Sequence, residues 1–361
     1  MTEIAFSEMV GRRIRLGSWE DQRISTYRKI RGAIEDGRWD EAAALGHYFV
    51  DEAQVCFAIY RQWLGDLTGF LEARGVPAEE VARADAAILE LLTMPDGTPF
   101  DPRREWARFL ADNERLVKWC HREDRAAALE ALDTMKETWR RCHDRDADHA
   151  CGLMNEVKVR LGEGAIAAMF EHVLLPLFAW RYEKFDIDAH PWDEGLETLM
   201  LVGCEAMRGH LVGPERTGDF ELEETDDRFI LRFDPCGTGG RTLRPDAIEG
   251  TPARTEPPFE WAVSEEPHSW NHFEPGVCIY CAHCMVLQEE MPIDRFGYPV
   301  RVIDPPRGAG ERCQWQLFKD PAAVPEEYYT RVGRDKPSTL GSRARGAAPL
   351  TAGGHGLPGA G

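Results

Sequence analysis

Four cysteines carry the clearest chemical signal in this 361-residue chain. One lies in Phe233-Asp234-Pro235-Cys236-Gly237-Thr238-Gly239-Gly240. The other three lie in Val277-Cys278-Ile279-Tyr280-Cys281-Ala282-His283-Cys284. A C-x-x-C pair lets two thiolates converge on one ion, while the turn between them points backbone N–H groups at the sulfurs. Gly237, Gly239 and Gly240 permit tight backbone approach beside Cys236. A metal held this way ties a loop to a sheet and contributes on the order of 10 kcal/mol of folding free energy. The spacing therefore predicts a metal site built from Cys236, Cys278, Cys281 and Cys284.

Zinc takes four tetrahedral ligands. Cys236, Cys281 and Cys284 supply three, and Cys278, His268, His272 or His283 the fourth. The C-x-x-C-x-x-C run with a remote cysteine also fits a 4Fe–4S cluster. Zinc is preferred, because a second such run is absent and the histidines offer it an alternative set. Two rivals stand beside the metal. Buried cysteines can pack as small hydrophobes. The Cys281–Cys284 pair, leading into the helical-looking Met285–Glu290, also suits thiol redox chemistry, although no βαβ context precedes it.

A catalytic metal keeps one position open and needs a proton-handling group nearby. His268, His272 and Glu274 in the adjoining loop are the candidates for that role. The plainer reading is a solvated acidic loop anchored by Trp270 and Phe273, with a closed structural site beside it. In the helical part, His143-Asp144-Arg145-Asp146-Ala147-Asp148-His149 begins like a calcium loop. His149 replaces the glycine such a loop requires and Asn155 its last glutamate, so a solvated inter-helix turn is the expectation. His47, His172 and His210 are single histidines, which are more often satisfied side chains than ligands. No Glu-x-x-His pair lies on the helices to suggest a di-iron site. Phosphate-loop, nucleophile-elbow, H-E-x-x-H and dinucleotide signatures are absent.

The elements that must position these residues change character near Gly213. Before it, the sequence predicts helix after helix. A capping box at Ser18 opens the first. A long amphipathic stripe follows from Asp40 to Arg74, with a possible break at Gly65. Helices are expected near 78–93, 103–120, 123–142, 147–161, 163–182 and 193–211. After Gly213, Asp219–Glu224 and Arg228–Phe233 alternate as a β-hairpin, and Tyr298–Ile303 with Cys313–Phe318 as a second strand pair. From Arg331 a Gly/Ala/Ser/Pro-rich tail is expected to be disordered.

The predicted fold is α+β: an all-helical domain (1–212) packed on a small antiparallel-sheet domain (213–330) that carries the cysteine-rich metal site, followed by a tail (331–361). The net charge of −20 argues against a nucleic-acid partner and against anionic membranes. The N-terminus lacks a secretory signal, and Glu171, His172 and Pro176 interrupt the longest apolar run. A cytoplasmic location follows, where ten cysteines are expected to be thiols or ligands. The expected function is a zinc-binding enzyme acting on a small organic molecule in the cleft between the domains. The alternatives are a non-catalytic small-molecule- or partner-binding protein with structural zinc, and an iron–sulfur redox protein. Oligomeric state is left open.

Overall fold

The structure, a computed structural model, describes residues 2–347. The chain opens with an antiparallel hairpin, β1 (Ile4–Ser7) and β2 (Arg12–Arg15), that the sequence pattern did not announce. Arg15 explains its place. The guanidinium is wholly buried and donates to Thr26 Oγ1 and to the carbonyls of Asp21, Gln22 and Ile24, tying the hairpin to the first helices.

Helix starts follow side chains that satisfy free backbone donors. Ser18 caps α1 (Trp19–Gln22), and Ser25 caps α2 (Thr26–Glu35). The apolar stripe then forms α3 (Trp39–Ala73), 35 residues with no interruption at Gly65, where an added side chain would meet open space. After α4 (Ala78–Leu91), Asp101 caps α5 (Pro102–His121) and Asp124 caps α6 (Arg125–Leu161). Next come α7 (Ile166–Tyr182) and α8 (Trp192–Gly209). Among the described residues no helix is long and apolar enough to cross a membrane.

The largest departure from expectation is α6. The two helices anticipated at 123–142 and 147–161 are one, and the segment read as a solvated turn is its buried middle. Distant arginines supply the reason. Asp144 receives a bidentate pair of bonds from Arg216, at 2.9 and 2.6 Å, and a third from Arg140. Asp148 pairs with Arg241 and with Arg254, and Asp146 with Arg61. Buried carboxylates persist only when paired and hydrogen-bonded, and this set has partners on several elements.

The C-terminal part holds an antiparallel four-stranded sheet in the order β3 (Glu221–Glu224), β4 (Arg228–Phe233), β6 (Cys313–Phe318), β5 (Val302–Asp304). The first anticipated strand pair is present, the second is reduced to Val302–Asp304 in place of the expected Tyr298–Ile303, and the two are joined through β4 and β6, with Phe233 opposite Cys313. Between β4 and β5 come a short helix α9 (Gly239–Thr242), long irregular loops, α10 (Ala282–Met285), a π-helical turn (Val286–Glu290) and α11 (Met291–Phe296). The mixed helix and antiparallel sheet make this an α+β fold. One cluster of buried residues runs from Tyr27 of α2 through the helices to Leu317 of β6. Arg331, at the head of the expected tail, is tied down by bonds to Asp304 (2.9 Å) and the Ile303 carbonyl (2.8 Å), and pairs with Glu289. Residues 348–361 of that tail lie outside the described residues.

Candidate functional site

The glycine-rich loop and the C-x-x-C-x-x-C segment meet in space. The loop leaves β4 through a cis Asp234–Pro235 bond and reaches α9. A Cβ at Gly239 would sit 2.5 Å from Cys281 Sγ, and one at Gly237 would sit 1.8 Å from the His210 carbonyl oxygen. Only glycine allows both approaches. Cys236 Sγ accepts the Gly240 N–H at 3.3 Å and lies 3.4 Å from Thr238 Oγ1.

These segments form one wall of a cavity of about 130 Å³, and α3 and α8 form the other. An engineered apolar cavity of about 150 Å³ takes benzene, so the space suits a compact molecule. Trp63, Leu199, Met207, Leu287 and Trp315 make the lining largely apolar. Four thiols reach it: Cys236, Cys281, Cys284 and Cys313. Arg301 places a cation at the wall, its guanidinium 3.8 Å from the Trp315 ring centre.

Cys278 does not line this cavity. Its Sγ lies 3.3 Å from Thr242 Oγ1. Hydrogen bonds from Cys151 and Cys281 hold the Cys278 thiol well below the usual thiol range against the effect of burial. Three of the anticipated quartet line the cavity together with Cys313, and Cys278 adjoins them through its hydrogen bond with Cys281 and also meets Cys151. Among the described residues no three His, Cys, Asp or Glu side chains are arranged to share one metal ion, and all ten cysteines are free thiols.

Cys284 stands apart from the other thiols. It is the one cysteine that is not fully buried, and its Sγ lies 3.3 Å from His283 Nε2. His283 Nδ1 donates to the Tyr280 carbonyl at 2.6 Å, which leaves Nε2 with its lone pair towards the thiol. Burial pushes the His283 pKa down to about 4 and the Cys284 thiol up to about 12, so both partners are neutral at pH 7. A second imidazole, His210, also lines the cavity, and its Nδ1 is 2.8 Å from Nε2 of the buried His143.

The three loop residues proposed for proton handling are not at this cavity. His268 stacks on Trp270 and lies 3.3 Å from Glu163. His272 is committed to Glu289 at 2.9 Å, and Glu274 is exposed beside Arg307. They are not gathered into one group. Sequence reasoning missed Cys313, Arg301 and the setting of His210. Cys313 is brought beside Cys236 by the pairing of β4 with β6, which sets Phe233 opposite it and which the sequence pattern did not specify. His210 carried no signal beyond being a single histidine at a helix end.

Comparison with known protein families, with curated proteins and with solved structures finds no match to this chain.

Proposed function

We propose that this protein is a cytoplasmic enzyme acting on a small organic electrophile in the cavity between α3/α8 and the sheet, with Cys284 as nucleophile and His283 as its base. The single observation carrying the reading is the Cys284–His283 hydrogen bond at the cavity wall, with the imidazole oriented from behind by the Tyr280 carbonyl. A thiol, a base within hydrogen-bond reach and a group that orients the base form the geometry of nucleophilic catalysis, and with both groups neutral at rest the proton passes to His283 only as the thiol attacks. The cavity is largely apolar, and Arg301 adds a positive charge to its wall.

The test is alkylation of the native protein by iodoacetamide, followed by peptide mass spectrometry. Cys284 is expected to react at least ten-fold faster than the buried helix cysteines Cys56, Cys120, Cys142 and Cys204, and His283→Phe is expected to remove that advantage. Uniform labelling, or a fast Cys284 indifferent to His283, overturns the reading.

A second reading keeps zinc. Its support is that Cys236, Cys281, Cys284 and Cys313 line one cavity, with a backbone N–H directed at Cys236; the four thiols would have to draw together to share the ion, and zinc held by all of them would be closed and structural. Metal analysis of anaerobically purified protein separates the two. One tightly held zinc per chain that blocks alkylation of all four thiols favours the metal reading, and iron with visible charge-transfer bands favours a cluster.

A further inference from the structure

Asp144, His143 and His210 form a chain of hydrogen bonds from the middle of α6 to the cavity wall. His143 Nδ1 lies 2.9 Å from Asp144 Oδ1, and His143 Nε2 lies 2.8 Å from His210 Nδ1. The direction of each bond follows from the charge states. Burial alone would raise the Asp144 carboxyl, but Arg216, Arg241 and the His143 bond outweigh it and hold it well below the usual carboxylate range. It is ionised and can only accept, so His143 carries its hydrogen on Nδ1. Burial lowers the pKa of both histidines, and the neighbouring His143, His283 and Arg216 push His210 further down. Each ring is neutral and holds one hydrogen.

With its hydrogen directed at Asp144, His143 offers a lone pair at Nε2, and His210 must donate to it from Nδ1. His210 Nε2 then carries no hydrogen. Among the described residues it meets no hydrogen-bond partner, and the ring lines the cavity.

We infer that Asp144 and His143 lock His210 into its Nδ1–H form, so that Nε2 is a lone-pair acceptor that takes an N–H or O–H group of the molecule bound in the cavity. The inference rests on the cavity being the binding site proposed above and narrows what it admits. A compact molecule with a hydrogen-bond donor satisfies Nε2. An isostere without one leaves a polar atom unsatisfied in an apolar cavity and is disfavoured. His143 and Asp144 are positioning residues that reach the bound molecule only through His210.

The tautomer is directly observable. Long-range proton–nitrogen correlation spectra of protein labelled at the histidine nitrogens should show His210 hydrogenated at Nδ1 and bare at Nε2. Asp144→Asn replaces the anion with an amide that can donate to His143 Nδ1. The chain then runs backwards, and His210 should shift to the Nε2–H form. His143→Phe keeps a ring in place and leaves the Asp144–Arg216 pair intact; it should give a mixture of the two forms. An Nε2–H signal in the unmodified protein overturns the inference, as does a His210 tautomer unchanged in His143→Phe. Cys284 alkylation reports separately on the thiol reading. Slow alkylation with His210 in the Nδ1–H form would sink that reading and leave this assignment standing.

Discussion

Two buried polar regions lie side by side in this molecule and are built on opposite terms. In the middle of α6, buried carboxylates are paired with guanidiniums from several elements, and Asp144 alone receives bonds from Arg216, Arg140 and His143. At the cavity, by contrast, the groups are mostly neutral and soft: thiols, two uncharged imidazoles and aromatic rings around open space. The first region has spent most of its bonding capacity on itself and holds helices together. In the proposed reading the second keeps lone pairs and a thiol for a bound molecule. A polar interior is a candidate for chemistry when its groups remain uncommitted, and the number of charges is a poor guide to it.

The sharpest way to break that contrast is to unpair the lattice. Asp144→Ala leaves Arg216 and Arg140 buried without their shared partner and should cost about 3–5 kcal/mol in urea-induced unfolding. A loss below about 1 kcal/mol would mean the lattice is not structural. Next in size is Gly237→Ala, whose added Cβ meets the His210 carbonyl. Overpacking of this kind should cost about 1–3 kcal/mol. It should also disturb the cavity more than an alanine at Gly65, where nothing lies nearby.

Asp146 sharpens the comparison from inside the lattice, because its Oδ2 is buried without a hydrogen-bond partner. Burial raises its carboxyl to about 7, and Arg61 offsets only part of that. The folded protein therefore keeps a proton that the unfolded chain releases near about pH 4. Stability should fall as pH rises from there to 7, by up to about 1.4 kcal/mol per unit. Asp146→Asn should flatten that limb in unfolding curves measured across pH. The smallest effect belongs to Glu274→Ala. The side chain is exposed beside Arg307, so the change should stay within about 0.5 kcal/mol and leave Cys284 alkylation untouched.

The contrast also explains what could be read from the sequence. Helix positions, both strand pairs and three of the four cavity thiols were legible, because apolar periodicity, period-two alternation and close cysteine spacing are local signals. The buried middle of α6 was not. Three aspartates in five residues look solvated until Arg61, Arg216, Arg241 and Arg254 arrive from remote parts of the chain. His268 and His272 drew attention by lying near the cysteines in sequence, yet their partners Glu163 and Glu289 hold them elsewhere. Cys278 and Cys284 belong to the same short run, but the helical turn between them sends one towards Thr242 and the other into the cavity. Sequence proximity set the residue list, and side-chain direction decided the membership.

The bonds of Arg331 to Ile303, Asp304 and Glu289 bear on how the protein is made. Ile303 lines the cavity, and the Glu289 carboxylate also accepts the Ile303 N–H. One wall of the chamber is thus fastened by a residue that leaves the ribosome after every other part of that wall. During synthesis the helices, the thiols and the Asp144 relay can all be in place while the chamber is still unlatched.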